Sequence, residues 1–157
     1  MGLRAGLAGL CGAIAVATCG TACAGPADEL RPKAVAGARA AAADALRQLQ
    51  AAAPPMRASV ERAIADVVPN ENRVGGTVLL GRELSADGRY TARYAFVSLV
   101  GGGYQGQYEQ IAVRLCVSYT GDLDRPGAVT MADLACPAGL PGPDNGVPVD
   151  REIKLTD

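Results

Sequence analysis

Histidine is absent from this chain of 157 residues. Its absence removes the most common general base, the most common metal ligand, and every Ser-His or Cys-His nucleophile pair. This weighs against an enzyme without excluding one, because carboxylates and lysines also catalyse reactions. We predict no catalytic residue, no cofactor or cofactor-binding residue, and no metal ligand.

Aromatic residues and basic runs are also scarce. The chain has no Trp and one Phe, so a core would be filled by Ala, Val, Leu and Ile. Such a core is modest, and a covalent cross-link would help to stabilise it. The net charge is −1 and the charges are interspersed, which is unlike the basic patch of a nucleic-acid binder. We therefore expect no nucleic-acid partner.

The first 24 residues have the layout of an export leader. Arg4 is followed by an uncharged run to Cys23, and the small residues around Cys23 suit signal peptidase. Alternatively, Cys19 or Cys23 becomes the lipid-bearing first residue of a lipoprotein. We predict a signal peptide or lipoprotein leader over residues 1–24. The protein would then be exported, extracellular or on the outer face of the cell membrane, and would touch the membrane only through its leader or lipid anchor.

Two cysteines remain beyond the leader, Cys116 and Cys136. An even number of cysteines in an exported chain predicts a disulfide bond, and only this pairing is then available. The rival interpretation is a reactive thiol at Cys116. It is disfavoured because no histidine is present to lower the pKa of that thiol.

Apolar periodicity predicts two helices after the leader. Over residues 30–53 the apolar residues recur every three to four positions, with Pro32 in the first turn and Pro54-Pro55 at the end. A second, shorter helix is predicted over residues 56–68.

From Arg73 onwards the pattern changes to that of strands, predicted over 73–85, 89–100, 107–121 and 127–136, with a short last strand near 151–155. A two-residue turn at Asp87-Gly88 would place Gly81 opposite Tyr94. The order of elements indicates an α+β fold, with two N-terminal helices on one face of an antiparallel sheet of about four strands. The predicted domain covers residues 25–136, followed by a Pro/Gly-rich C-terminal segment over 137–157.

Three features of the sequence suggest functional sites. Residues 101–106, "GGGYQG", match G-x-G-x-x-G, but a strand follows where a dinucleotide site needs a helix, so a hairpin loop is the better interpretation. Tyr104 at its tip is either a recognition residue or an incidental surface tyrosine.

The two other features are sets of charged residues. Asp122, Asp124 and Asp133 are spaced like part of a calcium loop, yet a proline stands at one ligand position, which favours a polar turn. Four arginines line the predicted sheet, and we expect them to pair with nearby acids on a solvated face: Arg82, Arg89, Arg93 and Arg114.

The leader, together with "RLCVSYTG" and "DLACP", resembles small exported proteins and lipoproteins of high-GC Gram-positive bacteria. The resemblance implies an exported location and no particular activity. Our first hypothesis is a non-enzymatic binding or interaction module of the cell envelope. It would bind an unknown protein or cell-wall partner through a sheet face or the 101–106 loop.

Two alternatives stay open. One is a secreted small-ligand carrier or small enzyme, whose cavity would be lined by Tyr90, Tyr94, Phe96 and Tyr119. The other is a secreted protease inhibitor that presents the loop between Cys116 and Cys136, with residues 122–128 standing out from the fold.

Overall fold

The computed structural model describes residues 25–52, 56–67, 76–104, 106–125, 127–143 and 147–157. Two helices come first, α1 (Pro26–Gln50) and α2 (Met56–Asp66). The strands follow: β1 (Thr77–Leu84), β2 (Arg89–Tyr104), β3 (Gln107–Asp122), β4 (Thr130–Asp133) and β5 (Arg151–Ile153). The predicted α+β fold is confirmed.

Helix α1 begins four residues earlier than the apolar periodicity indicates. Pro26 occupies its first position, where a missing N–H costs nothing, and the Asp28 carboxylate accepts a hydrogen bond from Gly25 N at 3.2 Å. Pro32 therefore lies inside the helix rather than in its first turn. The helix ends at Gln50, before Pro54-Pro55.

The buried face of α1 is a row of small residues that lets the helix lie close to the sheet. Its buried positions are Leu30, Ala34, Ala38, Ala42, Ala45 and Leu49. The approach is closest at Gly37, where a Cβ atom would lie 2.5 Å from Ser98 Oγ on β2. Helix α2 buries Val60 and Ile64, as its period predicts.

The sheet is built around β2 and β3, which pair along 16 residues each. Strand β1 pairs with β2 only as far as Phe96, and β4 pairs with β3 from Val117 to Thr120. Strand β5 runs parallel to β3 on the same edge as β4, at Val113–Leu115. The last part of the β2–β3 hairpin therefore extends beyond the strands that flank it.

The turn between β1 and β2 differs from the predicted two-residue turn. Ser85 N donates to Arg89 O at 2.8 Å and Gly88 N donates to Ser85 O at 3.2 Å, so three residues form the loop. Gly88 has a φ of +85°, the left-handed conformation that closes a three-residue hairpin loop. The predicted register is wrong because Asp-Gly serves this longer turn.

A β-bulge then moves the register by one more residue. Leu79 pairs with Tyr94 and Gly81 pairs with Arg93, so Leu80 is the extra residue on β1. Arg82 consequently pairs with Ala92 and not with Arg93. The bulge lets both Leu79 and Leu84 lie on the core side, although they are five positions apart in the sequence.

The face of the sheet opposite the helices, which we call the outer face, is covered at its centre by residues of the C-terminal segment around Leu140–Pro141 and Val147–Asp150. Asp150 N donates to Ala112 O at 2.8 Å, and Ala112 N donates to Asp150 Oδ2 at 2.6 Å. Beneath this cover Ala95, Ala112 and Cys116 are buried although they point away from α1. The middle of β2 and of β3 is thus buried on both faces, and the predicted last strand is present as β5.

Candidate functional site

The predicted disulfide between Cys116 and Cys136 is confirmed. Cys116 lies buried on the outer face of β3, and Cys136 follows β4, with their Cα atoms 5.4 Å apart. Leu134 N donates to Cys116 O at 3.0 Å, which aligns the chain leaving β4 with the central strand. A structural disulfide is consistent with an oxidising, extracellular environment. The cysteine is therefore a cross-link and not a free nucleophile.

The aromatic residues assigned to a ligand cavity lie in the interior instead. Tyr90, Tyr94, Phe96 and Tyr119 are between 0% and 3% exposed. The ring of Tyr94 lies 5.8 Å from the ring of Phe96 and 5.8 Å from the ring of Tyr119. Their side chains occupy the space that the carrier hypothesis reserves for a ligand. Phe96 borders a cavity of about 20 Å³, room for one water molecule.

Two of these tyrosines connect the sheet to the helices. Tyr94 Oη donates to Ile64 O on α2 and Tyr119 Oη donates to Ala42 O on α1, each at 2.8 Å. Burial disfavours the charged phenolate, so the pKa of each hydroxyl lies well above its usual value. Both hydroxyls are structural donors at neutral pH.

The glycine-rich motif forms strand and not loop up to Tyr104. Residues 101–104 pair with residues 107–110, so the chain reverses between Tyr104 and Gln107. Gly106 takes a φ of +83°, as such a tight turn requires. The backbone of Tyr104 ends β2 opposite Gln107, and its side chain lies outside the described residues.

A different tyrosine is prominent on this hairpin. Tyr108 has 70% of its surface exposed and lies on the outer face, opposite Gly103. Its ring crosses diagonally onto Gly101, where a Cβ atom would overlap the phenol. Sequence reasoning missed Tyr108 because the predicted second strand ended at residue 100. Extending that strand through the glycines would have placed Tyr108 opposite Gly103, which has no side chain.

The aspartates of the calcium-like spacing do not converge. Asp122 Oδ1 accepts from Asp124 N at 2.8 Å within the β3–β4 turn. Asp133 lies on β4 and accepts from Leu155 N at 2.8 Å. Within the described ranges, no three His, Cys, Asp or Glu side chains are grouped to hold a metal ion. These aspartates organise turns.

The 122–128 turn, which the inhibitor hypothesis would present to a protease, is held by hydrogen bonds to neighbouring parts of the fold. Leu123 N donates to Gly88 O at 3.0 Å, and Gln50 Nε2 at the end of α1 donates to Val129 O at 3.4 Å. Asp124 and Arg125 are exposed at its tip. The turn is therefore joined to the β1–β2 hairpin and to α1.

Arg89 and Arg93 pair with acids on a solvated face, as expected. Arg93 Nη1 lies 2.7 Å from Glu83 Oε1, and Arg89 Nε lies 3.1 Å from Asp87 Oδ2. The pKa of Asp87 is lowered, chiefly by a hydrogen bond from Ser85 Oγ and then by one from Arg89 N. These exposed pairs stabilise the hairpin turn only slightly.

Arg114 departs from that expectation. It is 6% exposed beneath the C-terminal segment, so it does not lie on a solvated face. A cavity of about 280 Å³ opens beside it, between β3 and the C-terminal segment. Another cleft, of about 380 Å³, separates Gln48 on α1 from Arg62 and Asp66 on α2.

The lipidation candidates Cys19 and Cys23 lie outside the described residues. In the part of the chain that the structure describes, neither α1 nor α2 has the length and apolarity needed to cross a bilayer. Comparisons of the chain with protein-family models, with curated proteins and with solved structures give no match.

Proposed function

We propose that this protein is an exported, non-enzymatic binding module whose recognition surface is the outer face of the distal hairpin. The distal hairpin is defined as residues 99–104 of β2 and 107–111 of β3. It lies beyond the residues that pair with β1 and β5. The exposure of Tyr108 on this surface is the observation that carries the binding role.

The side chain of Tyr108 has the properties of a binding anchor. Tyrosine is enriched among the residues that dominate binding energy, because it combines a large apolar area with a polar hydroxyl. Here the ring already rests on Gly101, so binding would cost little side-chain entropy. Flanking residues Gly101, Gly103 and Gln110 are exposed, which leaves the other face of the ring accessible. The partner would be a protein or a cell-wall component.

Export is supported by two independent features of the chain. The Cys116–Cys136 disulfide needs an oxidising compartment in order to persist. The uncharged run up to Cys23, with small residues at its end, suits a secretory or lipoprotein leader. The protein would be extracellular or held at the outer face of the membrane by a lipid on Cys19 or Cys23.

The export proposal is tested by intact mass. The protein would be made in a high-GC Gram-positive host, and its mass measured from medium and membrane fractions before and after reduction and thiol alkylation. We expect either a soluble species beginning after Cys23 or a membrane species carrying a diacylglycerol on Cys19 or Cys23. A full-length cytoplasmic species with free thiols at Cys116 and Cys136 would contradict export.

The binding proposal is tested by comparing Tyr108→Ala with a matched exposed control, Arg57→Ala on α2. The probes are purified cell-wall sacculi and a solubilised membrane-protein fraction of the same host. Both variants should unfold at the temperature of the parent protein, because both side chains are exposed. We expect Tyr108→Ala alone to lose at least about tenfold in binding. Equal binding by the parent protein and by both variants would refute the assignment to Tyr108.

A further inference from the structure

Arg114 is a buried cation in the middle of the sheet. It lies on β3, which pairs with β2 on one side and with β4 and β5 on the other, and 8% of its side-chain surface is exposed. Arginine is rarely buried without partners for its five N–H donors. Nη2 donates to Leu140 O at 3.2 Å and to Pro141 O at 2.5 Å, which holds the C-terminal segment over the sheet.

The remaining nitrogens of the guanidinium are poorly compensated. Nε is buried and has no hydrogen-bond partner among the described residues. The facing carboxylate is Glu152 on β5, whose Oε1 lies 3.8 Å from Nη1, beyond hydrogen-bond distance. The Glu152 side chain is itself 55% exposed, so water competes for its charge. A buried cation in this state is stabilised by any anion that can reach it.

The space needed by such an anion adjoins Arg114. The cavity of about 280 Å³ has Arg114 as its one charged lining residue among the described residues. The rest of the lining comes from the C-terminal segment: Leu140, Gly142, Val147, Pro148 and Val149. The volume of the cavity is close to the roughly 300 Å³ at which pockets for small organic ligands begin. Apart from Arg114 the lining side chains carry no polar group, which suits a ligand with one charged end and an aliphatic body.

We propose that the cavity beside Arg114 binds a small aliphatic carboxylic acid as its carboxylate, with the guanidinium holding the carboxylate. The carboxylate would replace Glu152 as the counter-ion of Arg114, because a planar guanidinium matches a carboxylate in geometry and charge. The hydrocarbon chain would lie against Leu140, Val147 and Val149. This inference goes beyond the proposed function, since it depends neither on export nor on Tyr108.

The test uses hexanoate as the probe and the disulfide-bonded protein labelled with ¹⁵N. Hexanoate would be titrated to about 20 mM, above the millimolar range of weak single-site binding. We expect saturable shifts of the amide resonances of residues 112–116 and 147–149. Hexan-1-ol, of similar size but uncharged, should bind at least roughly tenfold more weakly, since a charge-assisted hydrogen bond is lost.

Two variants separate this site from a purely structural arginine. Arg114→Gln should abolish the hexanoate shifts, but it also removes the bonds to Leu140 and Pro141 and can loosen the segment. Glu152→Gln keeps the fold and removes the competing anion, so we expect hexanoate to bind several-fold more tightly to it.

No saturable shift with either the parent protein or Glu152→Gln would overturn the proposal. Equal binding of hexanol and hexanoate would overturn the role of Arg114. Equal binding of sulfate and hexanoate would overturn the assignment of an aliphatic ligand.

Discussion

The two buried tyrosine hydroxyls should contribute unequally to stability, although each makes a hydrogen bond of the same length. Tyr119 Oη donates to Ala42 O in the middle of α1, and Tyr94 Oη donates to Ile64 O near the end of α2. In a helix, the carbonyl of residue 42 also accepts from the N–H of residue 46. The carbonyl of Ile64 is among the last four of α2, which have no donor within the helix.

This difference sets the size of the expected effects. Tyr119→Phe removes one hydrogen bond but leaves Ala42 O with its helical donor, so the free energy of unfolding should fall by about 1 kcal/mol. Tyr94→Phe removes the donor that reaches Ile64 O from the sheet, and α2 as described, Met56–Asp66, supplies no other; a buried acceptor left unpaired costs about 2 kcal/mol. Neither change opens a cavity larger than one oxygen atom.

Urea denaturation followed by far-ultraviolet circular dichroism measures both values, and unchanged m-values would show that the unfolding transition is the same. Tyr108→Phe is the control, because its hydroxyl belongs to an exposed side chain and its loss should be neutral. A loss for Tyr119→Phe equal to or larger than that for Tyr94→Phe would refute the argument from the helix end.

Three further predictions concern pH, packing and covalent structure. Because burial raises the pKa of the two interior tyrosines above the unfolded value of about 10, stability should be flat at neutral pH and fall above about pH 10. The double Tyr→Phe variant should flatten that alkaline decline in urea titrations; an unchanged slope would contradict the assignment. Gly121→Ala should lower the melting temperature, because its Cβ would overlap the ring of Tyr90, whereas Gly81→Ala meets only a side-chain atom at 3.8 Å and should not. Replacing Cys116 and Cys136 by alanine should cost about 3 kcal/mol in urea denaturation, from the loop the disulfide closes; a loss below about 1 kcal/mol would show that the reduced chain is already restrained.

Much of the local structure follows from neighbouring residues alone. Residue spacing predicts the apolar stripe of α1, the alternation along β3 and the change from helical to strand periodicity before β1, because helices and strands repeat with fixed periods. The Cys116–Cys136 pair follows from the chain together with the predicted leader over residues 1–24, because Cys116 and Cys136 are the two cysteines beyond it. The α+β class then follows from the order of elements.

The register between strands was not available from the same reasoning. Asp87-Gly88 favours more than one turn, and the three-residue loop was selected together with the bulge at Leu80. Both adjustments place Leu79 beside Tyr94 on the core side. Register depends on which face the whole strand buries, and that is a property of the packed sheet.

The set of helices and strands can be read from the sequence because it depends on short-range periodicity, and the Cys116–Cys136 pairing can be read from it given the predicted leader. Only the tertiary structure decided which polar groups lie inside. Arg114 alternates with apolar residues as a solvent-facing residue would, yet the C-terminal segment covers it. Tyr108 faces solvent, whereas Tyr90, Tyr94 and Tyr119 are buried. A residue is buried when segments distant in the sequence pack against it, and the local sequence pattern does not show which segments will do so.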